Sequence, residues 1–271
     1  MNEQVPQNPE AESRNSDLQA PLQESKKPSR SITIVIACLN EEENLQATYD
    51  GVVKAVAASP FEDHEIMIIN DGSHDRTGEI ADSLASEDPH VRVIHNDTNR
   101  GFGSSFNLGL KHSKMTYLTV VPGDNEIMPE SIEKILKAVG KADLITSYTE
   151  NTWVRPLYRR FLSKCFTTLI NVLFGNRLKY YNGPNVYRVS QVAPLGIENA
   201  NFSFNAEAVI RLIKSGSSVA EVGMHIRQKR RYRTRALKIG NIFNVLRSVA
   251  RLFFELKSTA SGKGITSWRS Q

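Results

Sequence analysis

Asp124 and Glu126 stand one residue apart in LTVVPGDNE, Leu118 to Glu126, where an apolar and β-branched run meets an acidic turn. Pro122 and Gly123 cannot continue a strand ladder, so the spacing predicts a strand ending at Val121 with both carboxylates at its carboxyl end. In an open α/β sheet that edge is where ligands bind. Two carboxylates on one tight turn suit a hard divalent cation such as Mg²⁺, which takes one or two carboxylates and completes its shell with phosphate oxygens. The alternative is an acidic turn that only caps a helix beginning near Pro129.

Polar groups also follow three earlier apolar runs. Ser31 to Cys38 is followed by Leu39, Asn40 and Glu41, and Glu65 to Asn70 by Asp71, Gly72 and Ser73. Val91 to His95 leads to Asn99, Arg100, Gly101, Phe102 and Gly103. Between these runs, Leu45, Tyr49, Val52, Val53 and Val56, then Ile80 and Leu84, then Phe106 and Leu110 repeat at helical spacing. Asn40 with Glu43 reads as a capping box for the first of these helices. Such alternation predicts a mostly parallel sheet with right-handed crossovers, which places all four polar clusters on one rim. A Rossmann dinucleotide site does not fit, because CLNEEEN lacks a glycine-rich phosphate turn and its acids would repel a pyrophosphate. An acidic rim suits a nucleotide whose base and ribose hydrogen-bond to carboxylates and whose diphosphate is bridged by a cation: a sugar nucleotide.

The composition, 271 residues with 40% hydrophobic and 23% charged, is that of a soluble globular protein with one large domain or two small ones. Cys38 and Cys165 form no spacing motif, which argues against a disulfide framework or zinc site and suits a reducing cytosol. Residues 1–30 carry almost no large apolar side chains and read as a disordered tail without a signal-peptide core. No stretch has eighteen uncharged apolar residues, so a transmembrane helix is not expected.

The second half differs in charge. No acidic residue lies between Glu150 and Glu198, whereas Arg155, Arg159, Arg160, Lys164, Arg177, Lys179 and Arg188 all do. Trp153 to Phe174 combines a wide apolar surface with basic residues in its first half, the pattern of a helix lying on an anionic membrane surface. An ordinary core helix with solvated arginines is the alternative. Arg227 to Lys238 holds seven basic residues in twelve, but no surrounding nucleic-acid module, so nucleic acid is not the expected partner. Ile239 to Lys257 again has apolar residues at helical spacing, interspersed with Arg247, Arg251 and Lys257. It would lie along a membrane or pack on a partner, either a membrane protein or a second copy. Residues 258–271 read as a flexible tail.

The segments IVIACLNEEENL, IMIINDGSHDRT, NRGFGSSFNLGL and VVPGDNE, in this order, resemble the family 2 glycosyltransferases of GT-A fold. The likeness spans about Ile32 to Phe254 and is greatest toward dolichyl-phosphate mannosyltransferases and related polyprenyl-phosphate sugar transferases. It implies an α/β, Rossmann-like, mostly parallel sheet flanked by helices in a domain over 31–230. A basic loop and C-terminal amphipathic helix would follow over 231–257. By the same resemblance Ala37, Leu39 and Glu41 line the nucleoside pocket, Asp71 binds the base, and Gly72 permits close backbone approach. Asn99 and Gly101 belong to the same donor pocket. Asp124 matches the last acid of the family's Asp-x-Asp motif, whose first acid is replaced here by Pro122. Glu126 stands where close relatives often carry a metal-holding Gln, so Asp124 and Glu126 are the expected ligands of Mg²⁺ or Mn²⁺. In YNGPNVYR, Arg188 matches the Arg of a Ser-Gly-Phe-Arg type segment, while the Gly-Pro-Asn insert does not match. Phe204 and Glu207 match a Phe-x-x-Glu helix, in which Glu207 is either structural support or a general base. Arg231, Arg233 and Lys238 would close over the donor diphosphate.

The expected activity is inverting, metal-dependent transfer of a sugar from a nucleoside diphosphate to a polyprenyl phosphate, at the cytosolic face of a membrane. Arg155, Arg159 and Arg188 would draw in the acceptor phosphate. Two alternatives stand beside it. One is transfer to a glycan hydroxyl, which would make Glu207 essential as a base. The other, motivated by Pro122, is a catalytically silent sugar-nucleotide-binding subunit.

Overall fold

A computed structural model describes residues 30–197, 203–228 and 239–260. Four strands and three helices alternate first: β1 (Ser31–Cys38), α1 (Leu45–Ala57), β2 (Asp63–Asp71), α2 (Thr77–Glu87), β3 (Val91–Asn96), α3 (Phe102–His112) and β4 (Tyr117–Pro122). Then follow α4 (Pro129–Lys137), β5 (Leu144–Thr149), a single 3₁₀ turn (Thr152–Val154) and α5 (Leu157–Phe174). The chain continues through β6 (Val186–Arg188), α6 (Val189–Val192), a second 3₁₀ turn (Ala193–Leu195), α7 (Phe204–Lys214), β7 (Val219–Met224) and α8 (Ile239–Ala260).

All seven strands join one sheet in the order β3-β2-β1-β4-β6-β5-β7. β1 pairs parallel with β2 and β4, and β2 with β3, as the βαβ spacing requires. β6 runs antiparallel to β4 and β5, while β5 and β7 are parallel. The α/β architecture expected from the sequence is the one found, with a mixed and mostly parallel sheet. Every residue of β1 is buried, because it is central and covered on both faces.

Period-two alternation along β1 sends Ile32, Ile34 and Ile36 to one face and Val35 and Ala37 to the other. On the first face they meet Leu45, Val52 and Val56 of α1, Leu84 of α2 and Ile132, Ile135 and Leu136 of α4. The second face is closed by Phe106 of α3, Ile170 and Phe174 of α5, Phe204, Val209 and Ile210 of α7, and Val249 and Leu252 of α8. α8 therefore contributes to the same core as the sheet, and it runs to Ala260, past the 257 boundary read from the sequence. Of the tails read over 1–30 and 258–271, residues 1–29 and 261–271 lie outside the described residues, while 258–260 form the last turn of α8.

The capping box expected at Asn40 and Glu43 is not formed. α1 begins at Leu45 behind Asn44, and Asn40 instead takes a left-handed conformation with φ 56°. Asn tolerates that region because its short amide bonds locally. Here its Oδ1 accepts from the His74 amide at 2.9 Å, and its own amide donates to Ser73 Oγ at 3.0 Å. Tying β1's turn to β2's turn takes the place of capping the helix.

Candidate functional site

The carboxyl ends of β1, β2, β3 and β4 form one rim, and hydrogen bonds between the turns hold it together. Besides the Asn40 contacts, the Glu41 amide donates to Thr77 Oγ1 at 2.8 Å and the Glu42 amide to Asp75 Oδ2 at 3.3 Å. Burial disfavours ionised Asp75, but hydrogen bonds from the Thr77 side chain and amide and the Glu42 amide outweigh it and hold its pKa below the usual value. Asp71 is 5% exposed, and its carboxylate organises the loop after β3. Oδ1 accepts from Asn96 Nδ2 and the Arg100 amide, and Oδ2 from the Gly101 amide, all at 2.9 Å. A carboxylate has about four lone-pair positions, so one on Oδ2 is left for a donor such as a base N–H. Gly72 packs against this loop with φ +72°, and a Cβ there would lie 2.6 Å from the Thr98 carbonyl carbon. Only glycine allows that approach. Asn99 is exposed at the loop's tip, while Ala37, Leu39 and Glu41 lie at the mouth of β1, partly or largely buried.

Asp124 to Glu126 follow β4 on the same rim. The Gly123 amide bonds to the Ala37 carbonyl at 2.9 Å, and a Cβ on Gly123 would meet Cys38 Sγ at 2.5 Å, so the turn sits hard against β1. Asn125 is left-handed with φ 50°, a second rim turn made by an asparagine. Thr48 of α1 reaches across to accept from the Asn125 amide at 3.0 Å and donate to the Gly123 carbonyl at 2.9 Å. From the other side the Arg227 amide donates to the Glu126 carbonyl, and its guanidinium to the Asn125 side chain and carbonyl. Glu126 Oε1 accepts from both Nε and Nη2 of Arg155, at 3.2 and 3.0 Å. The Cys38 thiol's pKa is pushed far up, by burial first and then by Glu41, Asp124 and Asp75 around it. That thiol thus registers an acidic rim.

Asp124 Oδ1 accepts from the Glu126 amide at 3.1 Å, and Glu126 Oε2 takes no hydrogen bond from any described residue. These two carboxylates fit a divalent ion that draws its other ligands from phosphate and water. Among the described residues no cluster of three or more His, Cys, Asp or Glu could hold a metal by itself.

Other expected site residues go elsewhere. Arg188 does not reach the acidic turn. In the β4–β6 pairing it faces Tyr117, at the opposite end of a strand whose six residues span about 17 Å. There its Nη2 donates to the Tyr117 hydroxyl at 3.0 Å, and the guanidinium lies over that ring. The antiparallel direction of β6 is the reason, since it carries the strand's last residue away from the rim. Glu207 is 4% exposed on α7, where Oε1 accepts from Nε and Nη2 of Arg211, both at 3.0 Å. Arg211 bonds onward to both carboxylate oxygens of Glu255, joining α7 to α8. Glu207 is thus built into a helix seam. Arg159 lies in the first turn of α5, partly buried. Arg231, Arg233 and Lys238 lie outside the described residues, although the basic run they belong to starts at Arg227, on the acidic turn itself.

Sequence reasoning missed Thr48 and the placement of Arg227. A threonine at a buried helix position was the available sign for the first. Beyond Arg155, α5 presents Leu157, Phe161 and Val172 outward, 75%, 68% and 76% exposed, with Trp153 beside them and exposed Arg160 and Lys164 among them. None of the described helices is long and apolar enough to cross a membrane.

Known proteins share this chain's sequence pattern and its fold. It is 30% identical over 210 residues to polyprenol monophosphomannose synthase of Mycolicibacterium smegmatis, covering 72% of this chain and 77% of that protein. With undecaprenyl-phosphate mannosyltransferase of Micrococcus luteus the identity is 26% over 204 residues, 70% of this chain and 81% of the relative. Among solved structures, mannosyl-3-phosphoglycerate synthase from Rubrobacter xylanophilus superposes with TM-score 0.65 at 17% identity, over 89% of this chain and 77% of that one. Glucosyl-3-phosphoglycerate synthase from Mycobacterium tuberculosis, in complex with UDP, does so with TM-score 0.61 at 16% identity, over 88% and 82%. These structural likenesses bear out the GT-A fold. The family model described as glycosyl transferase family 2 matches residues 33–192, from the first strand through the acidic turn to α6, and the chain belongs to that family.

Proposed function

We propose that this family 2 glycosyltransferase moves a sugar from a nucleoside diphosphate to a polyprenyl phosphate at a membrane surface, inverting the anomeric carbon. The observation that carries the reading is the Glu126–Arg155 contact. It sets the acidic rim beside the start of a helix whose outer face is apolar and basic. Relatives whose names specify undecaprenyl-phosphate and polyprenol-phosphate mannose transfer support the same acceptor class.

In this reading Asp71 takes a base N–H on its open lone pair, and Ala37, Leu39 and Glu41 line the nucleoside pocket with the Asn99–Gly101 loop across from them. Asp124 and Glu126 would hold Mg²⁺ or Mn²⁺, whose charge neutralises the leaving diphosphate. Arg231, Arg233 and Lys238 would add positive charge to the diphosphate, since arginine forks bind phosphate oxygens two at a time. Arg159 on α5 receives the acceptor phosphate. An oxygen of that phosphate bonds to the anomeric carbon as the bond to the diphosphate breaks, and the electron pair leaves with the diphosphate. The acceptor is already ionised at neutral pH, so no general base is required. This suits a Glu207 committed to Arg211.

The test is transfer of labelled sugar to a short polyprenyl phosphate and, in parallel, to the free polyprenol and to soluble glycans. Labelling of the lipid phosphate, retained in Glu207→Gln, is the expected result. Labelling of a glycan hydroxyl alone, abolished in Glu207→Gln, would overturn it, since losing a true base costs about 10² to 10⁴ in rate. Nucleotide binding with no turnover on any acceptor would mark a silent subunit.

A further inference from the structure

Glu126 and Arg155 form a nearly enclosed ion pair, with side chains 12% and 16% exposed. Both guanidinium donors converge on one oxygen, Oε1, and leave Oε2 open. Burial disfavours the charged guanidinium, but Tyr180 and Glu126 against it more than compensate and raise its pKa. Arg227 adds a second positive group on the same turn, spent on Asn125 and the Ile127 carbonyl. Two arginines therefore sit on the turn that carries the two carboxylates, Arg155 on Glu126 itself, and Pro122 supplies no third acid.

We propose that Arg155 is a resident counter-ion of the acidic turn, which keeps a divalent cation off Asp124 and Glu126 until a nucleoside diphosphate brings further anionic oxygens. Arg155 acts through Glu126 and is a positioning residue. With it in place Glu126 is already neutralised, and a cation arriving alone gains little from that carboxylate. Diphosphate oxygens restore the deficit, so cation and donor bind together. The guanidinium would remain on Oε1 while Oε2 turns to the ion, the arrangement in which an outer partner orients a ligating carboxylate. The inference rests on the cation reading above.

The probe is Mn²⁺, titrated into the full chain and followed by the paramagnetic resonance of the free ion, with and without UDP or GDP. Wild type should bind weakly alone and more tightly with the nucleotide it accepts. Arg155→Gln should bind Mn²⁺ without nucleotide about tenfold to a hundredfold more tightly than wild type, since it removes a unit charge hydrogen-bonded to a ligand. Arg155→Lys should return toward wild type, and Arg155→Gln combined with Glu126→Gln should lose the gain. A damaged fold does not produce a gain of affinity. Arg155→Met, which keeps an apolar stem, is the second variant should Gln prevent folding, and the Mn²⁺-induced rise in Tm should be larger in either than in wild type. Nucleotide-free affinity in both variants no tighter than wild type overturns the counter-ion role, if Mn²⁺ still binds with nucleotide and is lost in Asp124→Asn. If wild type takes up no Mn²⁺ even with saturating UDP or GDP, the cation reading fails and this inference with it.

Discussion

Replacing Asp71 with Asn tests whether one buried carboxylate both builds the donor pocket's loop and meets the base. Its oxygens take three hydrogen bonds at 2.9 Å, two on Oδ1 and one on Oδ2. An asparagine of the same shape can set its carbonyl oxygen toward Asn96 and Arg100, but its amide nitrogen then points at the Gly101 N–H, donor against donor. Leaving a buried donor unsatisfied costs about 1 to 3 kcal/mol, and the two surviving bonds each lose about 1 kcal/mol of charge assistance, about 3 to 5 kcal/mol in all. For a chain of this size 1 kcal/mol moves Tm by about 2 to 4 °C, so a fall of roughly 6 to 20 °C is expected. Thermal unfolding measures that fall, and hydrogen exchange at the Arg100 and Gly101 amides localises it to the loop. Nucleotide affinity by calorimetry should drop as well, because the pocket wall and a base acceptor are lost together. A Tm within 2 °C of wild type, with both amides as protected as before, would refute the loop-pinning role. Intact stability with lost nucleotide binding would leave Asp71 a ligand contact alone.

On anionic vesicles the outer face of α5 should carry the protein into a floating fraction that shrinks as salt rises, since exposed charges are screened over about 10 Å at 0.1 M. Fully burying a Leu or Phe side chain is worth about 1.5 to 3 kcal/mol, so Leu157→Ser and Phe161→Ser should each weaken partitioning roughly tenfold to a hundredfold. Flotation unchanged in the double variant, or a dimer in solution that the double variant abolishes, would assign this face to something other than lipid. At the opposite end of the sheet, buried Glu65 accepts from Thr33 Oγ1, the Lys114 amide and Arg92. Burial alone would raise its pKa, but these partners outweigh it and hold the folded value below 4.5. A depressed folded pKa means stability present above the unfolded value and lost as pH falls through the folded one. Tm should therefore decline below about pH 4.5, and Glu65→Gln should flatten that decline. An acid limb identical to wild type would count against the linkage.

The first half of the fold is readable because its central strands β1, β2 and β4 each carry an apolar, largely buried run ending in a polar turn, and burial on both faces leaves such a run no other place. β1 matches its sequence boundaries for that reason. β6 offers no such sign: it is three residues long, and its antiparallel place comes from pairing with Tyr117 to Thr119. Arg188 lies away from the rim accordingly, because a motif match fixes a residue's neighbours in the chain and leaves open which end of a strand it occupies. Glu207 illustrates a second limit. Its partner Arg211 is one helical turn away and could be read from spacing, but Glu255 lies 44 residues on and is brought near only by α8 folding back against α7.

Charge is where the linear reading and the folded one differ most. Counted along the chain, the acidic turn at 124–126 and the acid-free stretch beginning at 151 look like separate sites of opposite sign, one for a cation and one for a phosphate. Folding brings the 3₁₀ turn at 152–154 beside the end of β4, and Asn151 holds it there by exchanging hydrogen bonds with the Ile226 backbone. Arg155 then meets Glu126 across 29 positions of sequence. The rim is consequently less acidic than its sequence reads, and the basic stretch has one cation fewer to offer an acceptor. A cation site whose Glu126 is already compensated gains most from a substrate that carries its own negative charge, which a nucleoside diphosphate does.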